Sequence, residues 1–107
     1  MKGRKKEIPY ILCSAIYYQD GEVYLHQPKN IHSGIVICGR RHHNCFNTLF
    51  AFVGDAIIKS IIKQGFLTSD DIFVNRFEAF EIAKASKQIS AKRKASKCIA
   101  LISEDLW

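Results

Sequence analysis

The chain has 107 residues, 48% of them hydrophobic and 24% charged, which suits one domain with a modest core and leaves no room for a second. Its net charge of +6 favours negatively charged partners: nucleotides, nucleic acid or an anionic membrane surface. Asp55, Lys59 and Lys63 break the largest apolar run well short of the roughly 18 to 20 apolar residues of a membrane span, so no transmembrane helix is expected.

Met1 to Glu7 is basic like the start of a signal peptide, but the stretch after it carries Pro9, Ser14 and Gln19 and alternates like a strand. Secretion is therefore disfavoured and a cytoplasmic location is expected. Residues 1–8 read as a basic flexible tail and 9–107 as a single ligand-binding domain. Ile8 to Tyr18, the Asp20-Gly21 turn signal and Val23 to His26 predict a β-hairpin. Pro28, Asn30, Ser33 and Gly34 form a polar loop leading into a third strand at Ile35 to Cys38. From Asn44 onward, Phe46, Leu49, Phe50, Val53, Ile57 and Ile61 recur with helical spacing, which predicts one long helix ending at Gln64-Gly65. Its apolar arc is wider than a sheet alone would cover, so a second copy of the chain is expected against it.

Gly65 to Asp71 reads as a turn-rich loop. Asn75-Arg76-Phe77-Glu78 has the form of a capping box, predicting a second helix through about Ser86. Lys97 to Ile102 is a candidate last strand. The fold class expected is α+β: an antiparallel β-sheet with two α-helices packed on one face.

Positive charge gathers in the N-terminal tail, at residues 40–43 and between Lys84 and Lys97. The segment Cys38-Gly39-Arg40-Arg41-His42-His43-Asn44-Cys45-Phe46 joins an apolar strand to an apolar helix, where two arginines and two histidines beside free helix N–H groups read as an anion site. A zinc site would draw on Cys38, His42 or His43, and Cys45. No Cys-x2-Cys or His-x3-His pair supports it, and the four cysteines, at 13, 38, 45 and 98, sit in apolar settings like small buried hydrophobes. No metal and no cofactor is expected.

The order of Gly39-Arg40-Arg41-His42-His43-Asn44, Gln64-Gly65-Phe66-Leu67-Thr68-Ser69, Phe73-Val74-Asn75-Arg76-Phe77-Glu78-Ala79 and Ser103-Glu104-Asp105-Leu106-Trp107 resembles the small phage proteins of the Thoeris anti-defence 1 family, over residues 9–107. The resemblance implies a non-enzymatic sponge in the host cell cytoplasm. Such a protein sequesters cyclic nucleotide signals, notably glycocyclic ADP-ribose and in some members cyclic oligonucleotides. It also implies a homo-oligomer, from dimer up to hexamer. Lys94 and Lys97 depart from the pattern: arginine would serve there with a bidentate fork, whereas lysine is a point charge.

A cyclic nucleotide needs an apolar platform for its base and fixed donors for its phosphates. Phe66, read as a loop residue, is the candidate platform, since stacking on a base contributes roughly 1–3 kcal/mol. Arg41 and Arg76 can grip phosphates with paired N–H donors, and a cation at the start of a helix, as Arg76 is, opposes the dipole and so suggests a function. Thr68 and Asn75 can read base or ribose edges, though Asn75 also has a cap to make. Arg93 and Lys97 are expected to close the site from the C-terminal segment. His42 and His43 read as supports for the loop, with Glu104 and Asp105 pairing to Arg40, Arg41 or His43.

Two other classes use the same residues. A cyclic-nucleotide hydrolase would take His42 or His43 as general base, but no nearby acid orients either ring. A nucleic-acid-binding module would use the same positive charge, but the sequence lacks helix-turn-helix spacing, an aromatic RNA-binding motif and a basic recognition helix.

Overall fold

A computed structural model describes residues 8–106; residues 1–7 of the expected tail and Trp107 lie outside the described residues. Four strands, β1 (Ile11–Tyr18), β2 (Ile35–Gly39), β3 (Ile62–Thr68) and β4 (Phe73–Asn75), form one antiparallel sheet in the order β2-β1-β3-β4. The helices are α1 (His42–Val53), α2 (Arg76–Ala85) and the four-residue α3 (Ala91–Lys94). This is the α+β architecture that the sequence predicts.

Strand periodicity decides which face is buried. Ser14, Ile16 and Tyr18 of β1, Ile37 of β2, and Phe66 and Thr68 of β3 all sit below 9% exposure and share the face on which the helices pack. Cys45 and Leu49 of α1 cover Ile16, Tyr18 and Ile37. Ala79, Phe80 and Ala83 of α2 cover Ile11, Phe66 and Val74, with Ile89 and Leu101 closing the cluster. Each large side chain so buried stabilises the fold by roughly 1.5–3 kcal/mol. A register shift between Ile11 and Cys13 marks a bulge at Leu12, which lets Ile11 turn into the core while Leu12 stays exposed.

Side-chain amides occupy backbone groups that a sheet would otherwise leave open. Gln27 Oε1 accepts from Val36 N–H at 2.8 Å on β2. Asn30 brackets Phe73 of β4, accepting from its N–H at 2.9 Å and donating to its carbonyl at 2.7 Å. Gln88 does the same for Ile11 at 2.7 and 2.9 Å. Backbone groups satisfied in this way are not free to pair with another strand.

Three expected elements take other forms. The predicted hairpin is absent: β1 already has β2 and β3 as neighbours, so Val23 and Leu25 stay exposed in the 19–34 connection. Gly21 does adopt a left-handed φ of 80°, but Asp20 spends its carboxylate on Glu22 N–H and the Tyr24 hydroxyl. The long helix stops at Val53, where Gly54 takes φ 68° and returns its N–H to Phe50. Two 3-10 turns at Gly54–Ala56 and Lys59–Ile61 then lead into β3. Gly65 is a strand residue, not a helix stop, and it must be glycine, since a Cβ would lie 2.2 Å from the Val74 carbonyl and 2.6 Å from the Phe73 ring. The candidate last strand is also absent. Leu101 crosses the core alone, its N–H donating to Arg76 O at 2.9 Å and its carbonyl accepting from Arg76 Nε at 3.2 Å.

Candidate anion-binding cleft

β2 ends at Gly39 and α1 begins three residues later, so Arg40 and Arg41 occupy a tight junction. Glycine keeps it uncrowded, since a Cβ at residue 39 would lie tightly against Asn44 Cβ at 3.1 Å and Cys45 Sγ at 3.3 Å. Ser14 Oγ donates to Arg40 O at 3.0 Å, fixing the junction to β1. Arg41 is the N-cap of α1, a position whose usual occupants accept hydrogen bonds. Arginine cannot, and the Asn44 side chain accepts from Arg41 N–H at 3.1 Å instead. The first turn of α1 carries no acid, so nothing within the helix neutralises its positive end.

A cleft of about 420 Å³ opens at this point, lined by Arg40, Arg41, His43 and Asn44. Arg41 Nη1 lies 3.4 Å from Glu104 Oε2, with both side chains partly exposed. Further along α1 a second groove of about 340 Å³ is lined by Phe46, Phe50, Lys59, Ile62 and Gln64. His43, Phe46 and Phe50 stand at i, i+3 and i+7, one stripe of the helix. A polar basic cleft and an aromatic groove thus follow one another on the same element.

His42 points the other way. Its Nε2 lies 2.8 Å from Gly65 O; a carbonyl can only accept, so Nε2 carries the proton. The ring stands edge-on to Phe66. Burial holds its pKa below the ordinary histidine value, and the nearby Arg76 acts in the same direction. His42 is a neutral strut between α1 and β3, and its ring partner is a carbonyl rather than the carboxylate that commonly orients a general base.

The other expected site residues divide sharply. Phe66 is fully buried, so it cannot stack on a ligand and is corrected to a core residue. Thr68 is buried as well; its hydroxyl donates to the Asp70 carboxylate and accepts from Ile72 N–H, closing the β3–β4 turn. Asn75 accepts from Phe77 and Glu78 N–H at 3.0 and 2.8 Å while Glu78 accepts from Asn75 N–H, completing the capping box that the sequence predicts. Arg76 is half-buried and holds Leu101.

Arg93 is a clamp: its Nε donates to Asp105 Oδ1 at 2.9 Å, its other nitrogens donate to the Cys98 and Ala100 carbonyls, and its guanidinium lies 4.7 Å from the Phe80 ring centroid. Asp105 therefore pairs with Arg93, not with the 40–43 junction. Lys97 is exposed. Of the expected ligand contacts, only Arg41 lines the cleft, together with His43. Arg40, read from the sequence as part of the anion site, also lines the cleft, as does Asn44, whereas the sequence reading gives Phe46, Phe50 and Lys59 no role beyond the helix. The stripe from His43 to Phe50 was the signal that would have joined them.

Among the described residues no three His, Cys, Asp or Glu side chains gather as a metal site would need, and no helix is long and apolar enough to cross a membrane. Cleft and fold together define a small α+β domain with a basic pocket at a strand-to-helix junction. The sequence profile of the phage T4 y16D protein family matches residues 10–107, and the chain belongs to that phage protein family. No curated protein and no solved structure matches it.

Proposed function

We propose that this phage protein binds a phosphate-bearing cyclic nucleotide, of the cyclic ADP-ribose type or a cyclic oligonucleotide, and sequesters it unchanged. The single observation that carries the reading is the cleft lined by Arg40, Arg41, His43 and Asn44 at the acid-free start of α1. Guanidinium groups and the positive end of a helix favour phosphate oxygens. The neighbouring groove gives a base two phenylalanine rings, with Lys59 and Gln64 at its border. The phosphates bind at the arginines and the base lies against Phe46 and Phe50, in place of the platform once expected at Phe66.

Sequestration rather than hydrolysis is supported by His42, whose Nε2 is committed to the Gly65 carbonyl. An anti-defence sponge of this kind is also what the resemblance to the Thoeris anti-defence 1 proteins implies. Exposed Phe52 and Ile58 support the accompanying reading of a homo-oligomer.

Native mass spectrometry with a panel of cyclic nucleotides tests this directly, because it reports ligand and oligomer together. A complex from which denaturation releases intact ligand is the expected result. Release of a linear product would make the protein a hydrolase. Binding only to mixed DNA or RNA, with a steep salt dependence, would make it a nucleic-acid module.

A further inference from the structure

The open face of the sheet carries a feature that the anion cleft does not use. In β1 and β2 the register pairs Ser14 with Gly39 and Ala15 with Cys38. Cys13 and Cys38 are therefore same-face diagonal neighbours on adjacent antiparallel strands, turned away from the helices. Cys38 is exposed and Cys13 half-buried, and both are free thiols. We propose that Cys13 and Cys38 are a redox-active thiol pair that closes a reversible disulfide when it meets a small-molecule disulfide such as oxidised glutathione.

The proximity of the two thiols holds Cys13 below its ordinary pKa and pushes Cys38 above it, so the thiolate that forms first is on Cys13, the better nucleophile. Buried Cys45 behaves differently: burial raises it to about 11, and its thiol donates towards Ser14 and Arg41 carbonyls on the helix-covered side.

The exchange balances with no other reactant. Cys13 thiolate attacks one sulfur of oxidised glutathione, forming a mixed disulfide and releasing one glutathione thiolate. Cys38 then loses its proton to solvent and attacks Cys13 Sγ, expelling the second glutathione. Two protein thiols are oxidised and one disulfide is reduced to two thiols. Diagonal neighbours have Cα atoms about 7–8 Å apart, whereas a relaxed disulfide spans at most roughly 6.8 Å. Closure must draw the end of β2 towards β1, and a bond strained in this way is readily reversed by thiols.

The test incubates the full chain with oxidised glutathione under native conditions, blocks remaining thiols with an alkylating agent in acid, and maps the peptides by mass spectrometry. Wild type should yield a Cys13–Cys38 cross-linked peptide that disappears when reduced glutathione is added. C38S should stop at a glutathione adduct on Cys13, because the resolving thiol is gone. Exposed Cys98, whose thiol faces the Ala100 carbonyl rather than another thiol, is the internal control and should keep its adduct. A wild-type protein that ends with a stable adduct on Cys13 or Cys38, or with both thiols alkylated while Cys98 has reacted, overturns the proposal.

Discussion

The His42 ring stands edge-on to the Phe66 ring, with centroids 5.0 Å apart and planes at 81°. This contact joins the start of α1 to the middle of the sheet, and it gives Phe66 a role opposite to that of a ligand platform. Phe66 belongs to the cluster with Phe80, Ala79 and Leu101. Phe66→Ala should therefore destabilise the protein by about 3–5 kcal/mol, the range for a buried phenylalanine cut to alanine. Urea denaturation measures it; a loss below about 1 kcal/mol would mean that the ring is not packed as described.

His42 makes stability depend on pH. Its folded pKa is depressed by burial, so on acidification the unfolded chain takes up a proton before the folded one does. Its contribution is present above the ordinary histidine value near 6.5 and is lost as pH falls through the lower folded value. The melting temperature should drop between about pH 7.5 and pH 5, and part of that drop should vanish in His42→Gln. Gln can still donate to Gly65 O but does not titrate. An identical pH profile for the two proteins would show that His42 does not report on folding.

How much of this was legible in the sequence depended on whether the signal was local. Asn75 and Glu78 are three residues apart, and their capping box forms as read, with α2 ending one residue before the expected Ser86. Ile57, Ile61 and Ile62 carry a period that suits a helix, yet Ile62 pairs with Tyr18 and Gln64 with Ile16. Strand pairing across the chain outweighed local periodicity, which cannot separate a buried strand from a helix in a short apolar run. Gly54, inside the predicted helix, was the available warning. Phe66 was misassigned for the same reason: once Gly65 is a strand residue, its neighbour faces the core. The basic junction at residues 40–44 was legible because its residues are contiguous, whereas the clamp on Asp105 reaches across the C-terminal segment to Arg93.

That clamp yields a third prediction. Three nitrogens of Arg93 reach three acceptors, on Asp105, Cys98 and Ala100, from a position packed over Phe80. Lysine offers one point charge and no planar fork. Arg93→Lys should loosen residues 98–106, seen as faster amide hydrogen exchange there, and lower stability by about 1–3 kcal/mol, the scale of hydrogen bonds to a charged group. Nucleotide affinity, measured where the variant remains folded, should change little. A selective loss of affinity with unchanged exchange would return Arg93 to the binding site.

Glu104 gives the sharpest test of the cleft, because it is already an anion beside Arg41, at 3.4 Å. The Glu104 side chain is 61% exposed and that of Arg41 34%, so water screens the pair, and such pairs contribute about 0.2–1 kcal/mol. A phosphate entering the cleft must compete with this carboxylate for the guanidinium. Glu104→Gln removes the competing charge while keeping the side chain's size, so it should tighten binding of a cyclic nucleotide by up to about fivefold, the equivalent of that pair energy, and cost little stability. Arg41→Gln should act in the other direction, weakening binding and flattening its dependence on salt. Isothermal titration of both variants at two salt concentrations decides the matter. If Glu104→Gln leaves affinity unchanged and Arg41→Gln leaves both affinity and salt dependence unchanged, the nucleotide does not bind at the start of α1.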